Sequence, residues 1–149
     1  MSPSFRFSLE RVRALRERSE DAAMQALAGA MQDQLRSERD VRESAEAVLE
    51  AQRAQRDTAT TPVSAQDLLA AQAWLERSEL VHRASQELLG RSQQQVQARR
   101  EALTEAARKR QALERLKERR RSDHEREVAR QETLTLDEIA LNGYRRRAA

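Results

Sequence analysis

Between Leu68 and Leu103 a position for a bulky residue recurs every seven residues, at Leu68, Leu75, His82, Leu89, Val96 and Leu103. Three residues after each stands Ala71, Ser78, Ser85, Ser92, Arg99 and Ala106, small in every case but Arg99. Positions three and four apart share one side of an α-helix, so a bulky seam beside a small one predicts a helix with a narrow contact stripe. Such a stripe is too thin to cover a globular core and suits one partner helix. The first third of the chain has apolar residues at Phe5, Leu9, Val12 and Leu15, then at Met24, Leu27, Met31, Val41, Ala45 and Val48. The step from Leu15 to Met24 does not fit one heptad frame, which predicts a stutter near residues 19–23 that unwinds the supercoil locally.

The elements follow from where this pattern stops. Ser2 and Pro3 have the chemistry of a helix start, a capping hydroxyl and a proline at the first helical position. From Ser4 to Asp57 there is no proline, so helix one is expected over about residues 4–57, roughly 80 Å long. Thr58-Ala59-Thr60-Thr61-Pro62-Val63 is the clear break, because Pro62 removes a donor and disfavours helix at Thr61. Ser64 and Asp67 then form a capping-box pattern, which starts helix two at about Ala65 after a turn over 58–64. Helix two is expected to run to Leu141, roughly 115 Å, with Asn142-Gly143 as a left-handed cap and a basic tail over 142–149. Residues 117–127 contain no aliphatic side chain and are expected to be weakly paired or exposed. A short connection between long helices makes them antiparallel neighbours. The expected fold is all-α, a single antiparallel two-helix coiled-coil hairpin over residues 1–149 with helix two the longer.

Composition narrows the possible functions. Aromatic residues are 3% and charged residues 36% of the 149, which fits long helices and leaves too little volume for a compact core. Without cysteine there is neither a disulfide frame nor a thiolate metal site. No apolar run of membrane-spanning length occurs and the N-terminus has no apolar signal core, so a cytoplasmic protein is expected. The two histidines have no second ligand within helical reach, so neither a metal nor a cofactor is expected. His82 occupies a seam position, where a polar residue fixes register. A catalytic carboxylate pair needs a desolvating cleft, which a two-helix hairpin does not offer, so the chain is not expected to be an enzyme.

Charge is unevenly spread. Residues 1–90 hold 12 basic against 15 acidic side chains, a net of −3, and residues 91–149 hold 16 against 10, a net of +6. The run Arg108-Lys109-Arg110 with Arg115, Lys117, Arg119, Arg120 and Arg121 could face phosphates. Glu114 and Glu118 interrupt it, however, and a mixture of signs marks a solvated helix face, so no nucleic acid is expected as a partner. Trp74, the sole tryptophan, is open to two readings: cover for the hairpin interface, or an exposed anchor of the type enriched at binding hot spots.

Three segments together resemble the FliJ family, the stalk proteins of bacterial flagellar export. Phe5-Arg6-Phe7-Ser8-Leu9-Glu10-Arg11-Val12 followed by Leu15-Arg16 and Glu20 is similar to the family's opening pattern. Arg108 through Arg120 resembles its best-defined segment, and Asp137-Glu138-Ile139-Ala140 its closing motif, whereas residues 30–100 agree in character alone. The resemblance implies an antiparallel coiled coil similar to the shaft of rotary ATPases. It implies insertion into the pore of the hexameric flagellar export ATPase FliI, a link to the export gate protein FlhA, and an escort role for export chaperones. Such a protein would associate with the cytoplasmic face of the membrane at the flagellar base through other proteins only. The resemblance assigns ATPase binding to Phe5, Phe7, Val12, Leu15, Arg16, Arg115, Arg119, Arg120 and Asp137. Val41, Trp74, Ser78 and Val81, in the half that holds the turn, are left to face the export gate. Stalks of injectisomes are similar in shape and stay open as an alternative, as does a structural coiled coil that self-associates through helix two.

Overall fold

The computed structural model describes residues 4–148. Two helices account for nearly all of them: α1, Glu10–Thr60, and α2, Ala65–Ala148, with no strand among the described residues. The fold class is as expected, an all-α antiparallel hairpin with the second helix the longer.

The turn between the helices is set by side-chain hydrogen bonds to the backbone. At the end of α1 the threonines extend the helix beyond Asp57 to Thr60. Thr58 donates to the Gln55 carbonyl at 2.8 Å, Thr60 to that of Asp57 at 3.1 Å, and Thr61 to that of Asp57 at 2.7 Å, so their hydroxyls add second hydrogen bonds to carbonyls of the last turns. Pro62 lies in the connection, and Ser64 opens α2 with the expected box. Its Oγ accepts the Asp67 N–H at 3.2 Å, while Asp67 Oδ2 accepts both the Ser64 N–H at 3.2 Å and the Ser64 hydroxyl at 2.6 Å.

The chain clusters into two compact units, a turn unit over Asp21–Thr104 and a terminal unit that joins Met1–Glu20 to Glu105–Ala149. In the turn unit Ala71, Leu75, Ser78, His82, Ser85, Leu89, Ser92, Val96 and Leu103 of α2, the stripe read from sequence, are buried or half-buried. Leu68, 45% exposed, and Arg99, also exposed, fall outside it. On α1 the matching positions are Ala23, Leu27, Ala30, Gln34, Ser37, Val41, Ser44, Val48 and Ala51. Every seventh residue on both helices is therefore small: Ala23, Ala30, Ser37, Ser44 and Ala51 on one, Ala71, Ser78, Ser85 and Ser92 on the other. Most of the deepest positions in this unit are small ones, with Ala51 fully covered and Ser44 at 6% exposure, because helices separate only as far as the side chains between them require.

The expected stutter does not occur. On α1 one series of covered positions steps by three and four from Arg13 through Arg16, Glu20 and Ala23 to Ala51 without a change of phase. Met24 and Met31, taken from sequence as seam residues, are 51% and 45% exposed. The seam runs one residue to their N-terminal side, through alanine and serine. α1 also begins at Glu10, not near residue 4; the expected cap at Ser2 and Pro3 lies outside the described residues. At its other end α2 continues through Asn142-Gly143 to Ala148, and Gly143 does not take the left-handed conformation a cap there would require. Arg145, Arg146 and Arg147 occupy the last turn, where cations complement the helix dipole, so the expected tail is helix.

Candidate functional site

The two groups of residues proposed from sequence separate between the units. Phe5, Phe7, Val12, Leu15, Arg16, Arg115, Arg119, Arg120 and Asp137 all belong to the terminal unit; Val41, Trp74, Ser78 and Val81 all belong to the turn unit. The division is also one of charge. The terminal unit holds 18 basic against 12 acidic side chains, a net of +6, and the turn unit 10 against 13, a net of −3.

In the terminal unit the helices meet through ions. Arg13 donates to Glu10 Oε1 at 2.8 Å and to Glu114 Oε1 at 2.9 Å, Lys117 donates to Glu10 Oε2 at 2.9 Å, and Arg110 donates to Glu20. As numbers rise along α1 from Glu10 to Glu20 their partners fall from Lys117 to Arg110, which fixes this pairing as antiparallel. Hydrogen bonds from Arg13 and Lys117 hold the Glu10 carboxyl below the usual carboxylate range, and the hydrogen bonds of Arg13 to Glu10 and Glu114 raise its guanidinium above its already high value. The Arg110 guanidinium is raised likewise by Glu20. None of these six side chains was read as a contact from the sequence. The signal that finds them is the heptad frame of Ala23 and Leu27 extended backwards to Glu20, Arg16 and Arg13.

Residues 4–9 are not helical, and they cover part of α2. The alternation Phe5, Phe7 has the period of an extended strand rather than a helix. A turn from the Phe7 carbonyl to the Glu10 N–H at 3.2 Å then leads into α1. Phe7 is 8% exposed, the Phe5 ring centre is 5.7 Å from that of His124, and Arg120 donates to the Ser8 hydroxyl at 3.1 Å. Of residues 117–127, expected to be weakly paired or exposed, eight are exposed; Lys117, Ser122 and His124 are half-buried, and residues 5–10 contact this part of α2. A shallow cavity of about 430 Å³ lies between Phe5, Arg6, Phe7, Glu10 and Lys117.

The proposed ATPase-binding residues accordingly differ in what they can offer. Val12 and Leu15, 39% and 59% exposed, do not contribute to the seam and present apolar surface to solvent. Arg115 and Arg119 are exposed and make no ion pair among the described residues, whereas Arg16 is half-buried and Phe7 buried. Asp137 sits in a stretch of α2, residues 131–142, that is exposed throughout and carries Leu134, Leu136, Ile139 and Leu141 at 57–65% exposure.

Among the proposed gate-facing residues, Trp74 and Val81 are 41% and 53% exposed, which favours the anchor reading of the tryptophan. Val41 is half-buried in the seam, and Ser78, at 7% exposure, is packed inside it and cannot contact a partner directly. A polar bridge crosses this seam. Ser44 Oγ donates to the Val41 carbonyl at 3.0 Å and lies 2.9 Å from His82 Nδ1, while His82 Nε2 lies 3.1 Å from the Gln86 amide nitrogen. The single hydroxyl proton is used on Val41, so Nδ1 carries the imidazole proton and Nε2 accepts from Gln86.

Among the described residues no helix is long and apolar enough to cross a membrane, and no group of three or more histidines or carboxylates could hold a metal ion. A family model described as "Flagellar FliJ protein" matches residues 5–149. No curated protein and no solved structure matches the chain.

Proposed function

The chain belongs to the flagellar FliJ protein family, and from that premise we propose that it is a non-enzymatic stalk whose terminal unit enters the hexameric export ATPase. The family makes it a protein of flagellar export. The turn unit, in this reading, faces the export gate protein, and the same stalk escorts export chaperones. It works at the cytoplasmic face of the membrane, held there by its protein partners.

The observation that carries the reading is the free cationic surface of the terminal unit. Arg115 and Arg119 lie one helical turn apart, are exposed and have no carboxylate partner among the described residues, although three ion pairs join the helices of the same unit. Two helices side by side measure about 20 Å across, twice a helix diameter, thin enough for the pore of a six-subunit ring. The exposed end of α2 supports the same reading. Leu134 and Leu141 share one side, Leu136 and Ile139 another, and a helix apolar on more than one side suits a site that encloses it. Exposed ion pairs are each worth about 0–1 kcal/mol. A shaft that must shift against its ring is better served by many such contacts than by one strong one.

The test is Arg115→Glu combined with Arg119→Glu, read by binding to the isolated ATPase. Neither arginine stabilises the hairpin through an ion pair, so helicity and melting should be unchanged. Binding should weaken, and the loss should be greater at low ionic strength, where the charges are unscreened. Unchanged binding at low salt would remove the support for this surface.

A further inference from the structure

Beyond Trp74 and Val81, the turn unit has a face that the seam leaves uncovered. Trp74, Val81, Leu88 and Gln95 stand seven residues apart, which puts them on one side of α2, and the three apolar ones are 41%, 53% and 53% exposed. At Gln95 this face runs into a groove of about 360 Å³ between the helices, lined by Ala26, Gly29, Ala30 and Asp33 on α1 and by Arg91, Ser92, Gln95 and Arg99 on α2.

Two features of the groove are not explained by the hairpin itself. Gly29 lies in the interior of α1 with ordinary helical φ, where glycine is unfavourable, and a Cβ built on it would meet nothing within 4 Å. Neither conformation nor internal packing requires a glycine there; what its missing side chain leaves is room above the groove floor. Arg91 and Arg99 are exposed on the α2 wall with no carboxylate partner among the described residues, whereas Asp33 on the other wall is engaged by Arg36 at 3.6 Å. The uncompensated charge of the groove is therefore positive.

We propose that this face and groove seat one amphipathic helix of a partner, with apolar residues at heptad spacing over Trp74, Val81 and Leu88 and carboxylates beside Arg91 and Arg99. From Trp74 to Gln95 is about 32 Å of helix, so the occupant spans about 20 residues. Its backbone passes closest at Gly29, where no side chain stands in the way. Its carboxylates lie about 12 Å apart, the separation of the two arginines along α2. The identity of the partner as the export gate protein rests on the function proposed above, whereas the kind of element recognised follows from the groove.

Binding of the full chain to the purified cytoplasmic part of the gate protein tests this, with four variants of the groove and face measured beside the parent and beside Trp74→Ala as the reference. Gly29→Met fills the groove without touching the seam, and should bind about tenfold or more weaker while melting no lower, since the added side chain has open space. Gly29→Ala is the control that removes the glycine with little bulk, and its melting temperature should rise. Leu88→Asp should lose about as much binding as Gly29→Met. Arg91→Glu with Arg99→Glu should lose binding most at low salt. ATPase binding should be unchanged in all four. If Trp74→Ala weakens gate binding while Gly29→Met, Leu88→Asp and the arginine reversal stay within about twofold of the parent, the groove is not the seat and the gate assignment alone survives. If Trp74→Ala and these variants all bind like the parent, both the helix seat and the gate-facing reading are wrong.

Discussion

Replacing Ser44 with alanine should cost more stability than replacing His82 with leucine, although histidine is the larger side chain. The asymmetry follows from who depends on whom. Ser44, 6% exposed, has its proton on the Val41 carbonyl 3.0 Å away and needs nothing from His82. His82 Nδ1–H has Ser44 Oγ, at 2.9 Å, as its acceptor across the seam. Ser44→Ala strands that donor beside a methyl group. A stranded buried donor costs about 1–3 kcal/mol, and the half-exposed imidazole, which water can partly reach, places the loss near the lower end, about 1 kcal/mol. His82→Leu strands nothing: the serine keeps Val41, and Gln86 is exposed and returns to water. It also extends the aliphatic run of Leu75 and Leu89, for an expected change between zero and a gain of about 1 kcal/mol.

Urea unfolding followed by circular dichroism reads both values, and the double variant completes the cycle. Without an imidazole to satisfy, Ser44→Ala should cost little in the His82→Leu background, giving a coupling energy of about 1 kcal/mol. His82→Leu destabilising more than Ser44→Ala, or strict additivity of the two, would refute the bridge. What the histidine contributes is register: one polar pair per seam penalises slipped pairings that a run of leucines would tolerate. The same leucine variant should therefore show a less uniform helix alignment in spin-label distances between positions 48 and 78.

Three further outcomes are expected. Leu89→Ala should cost about 2 kcal/mol, at the low end for such truncations because Leu89 is half-buried, whereas exposed Gln94→Ala should stay within about 0.5 kcal/mol; equal losses would remove the stripe. Raising salt to about 1 M, where the screening length falls to about 3 Å, should speed amide exchange in residues 10–20 and 105–117 and leave the turn unit unchanged, because among the described residues the ion pairs that join the two helices lie in the terminal unit. The Glu10 carboxyl is held low by Arg13 and Lys117, so its stabilising contribution is full above the unfolded glutamate value and is lost as pH falls through the depressed folded one. Carboxyl NMR should find Glu10 titrating low in the parent chain and returning upward in Arg13→Ala combined with Lys117→Ala; no difference between the two would separate the carboxylate from its partners.

Much of the fold was legible because heptads of unlike size are hard to mistake. On α2, Leu75, Leu89 and Val96 announce the stripe, and Pro62 with Ser64 and Asp67 marks the turn nearly to the residue. α1 was harder for a physical reason. Its seam is carried by Ala23, Ala30, Ser37, Ser44 and Ala51, and a search for large aliphatics passes over them to Met24 and Met31, which face solvent. The false stutter came from reading those two methionines as seam residues. Small residues are a positive signal in this architecture, since a period of seven in alanine and serine on both strands marks helices that lie close together. The ends failed differently. Gly143 offers a cap that the helix does not use, and Phe5-x-Phe7 has the wrong period for the helix that was expected to contain it.

The candidate site was legible as two sets of residues but not as surfaces, because sequence does not show which side of a paired helix is already occupied. Ser78 illustrates the point. One heptad frame places it beside Trp74 and Val81 in number, yet it points into the seam while they do not. Four residues separate Trp74 from Ser78 and three separate Ser78 from Val81, the spacing that ordinarily joins positions on one face. A hairpin divides that face at its edge, so Val81, Trp74 and Leu88 remain outside with Gln95 while Ser78 and Ser85 are covered. The consequence is directional: Ser78→Ala should alter stability and leave binding to partners alone, and Val81→Ser should do the reverse. Paired urea unfolding and gate-binding measurements on these two variants would show where the edge of the seam falls, and a loss of gate binding by stable Ser78→Ala would move it.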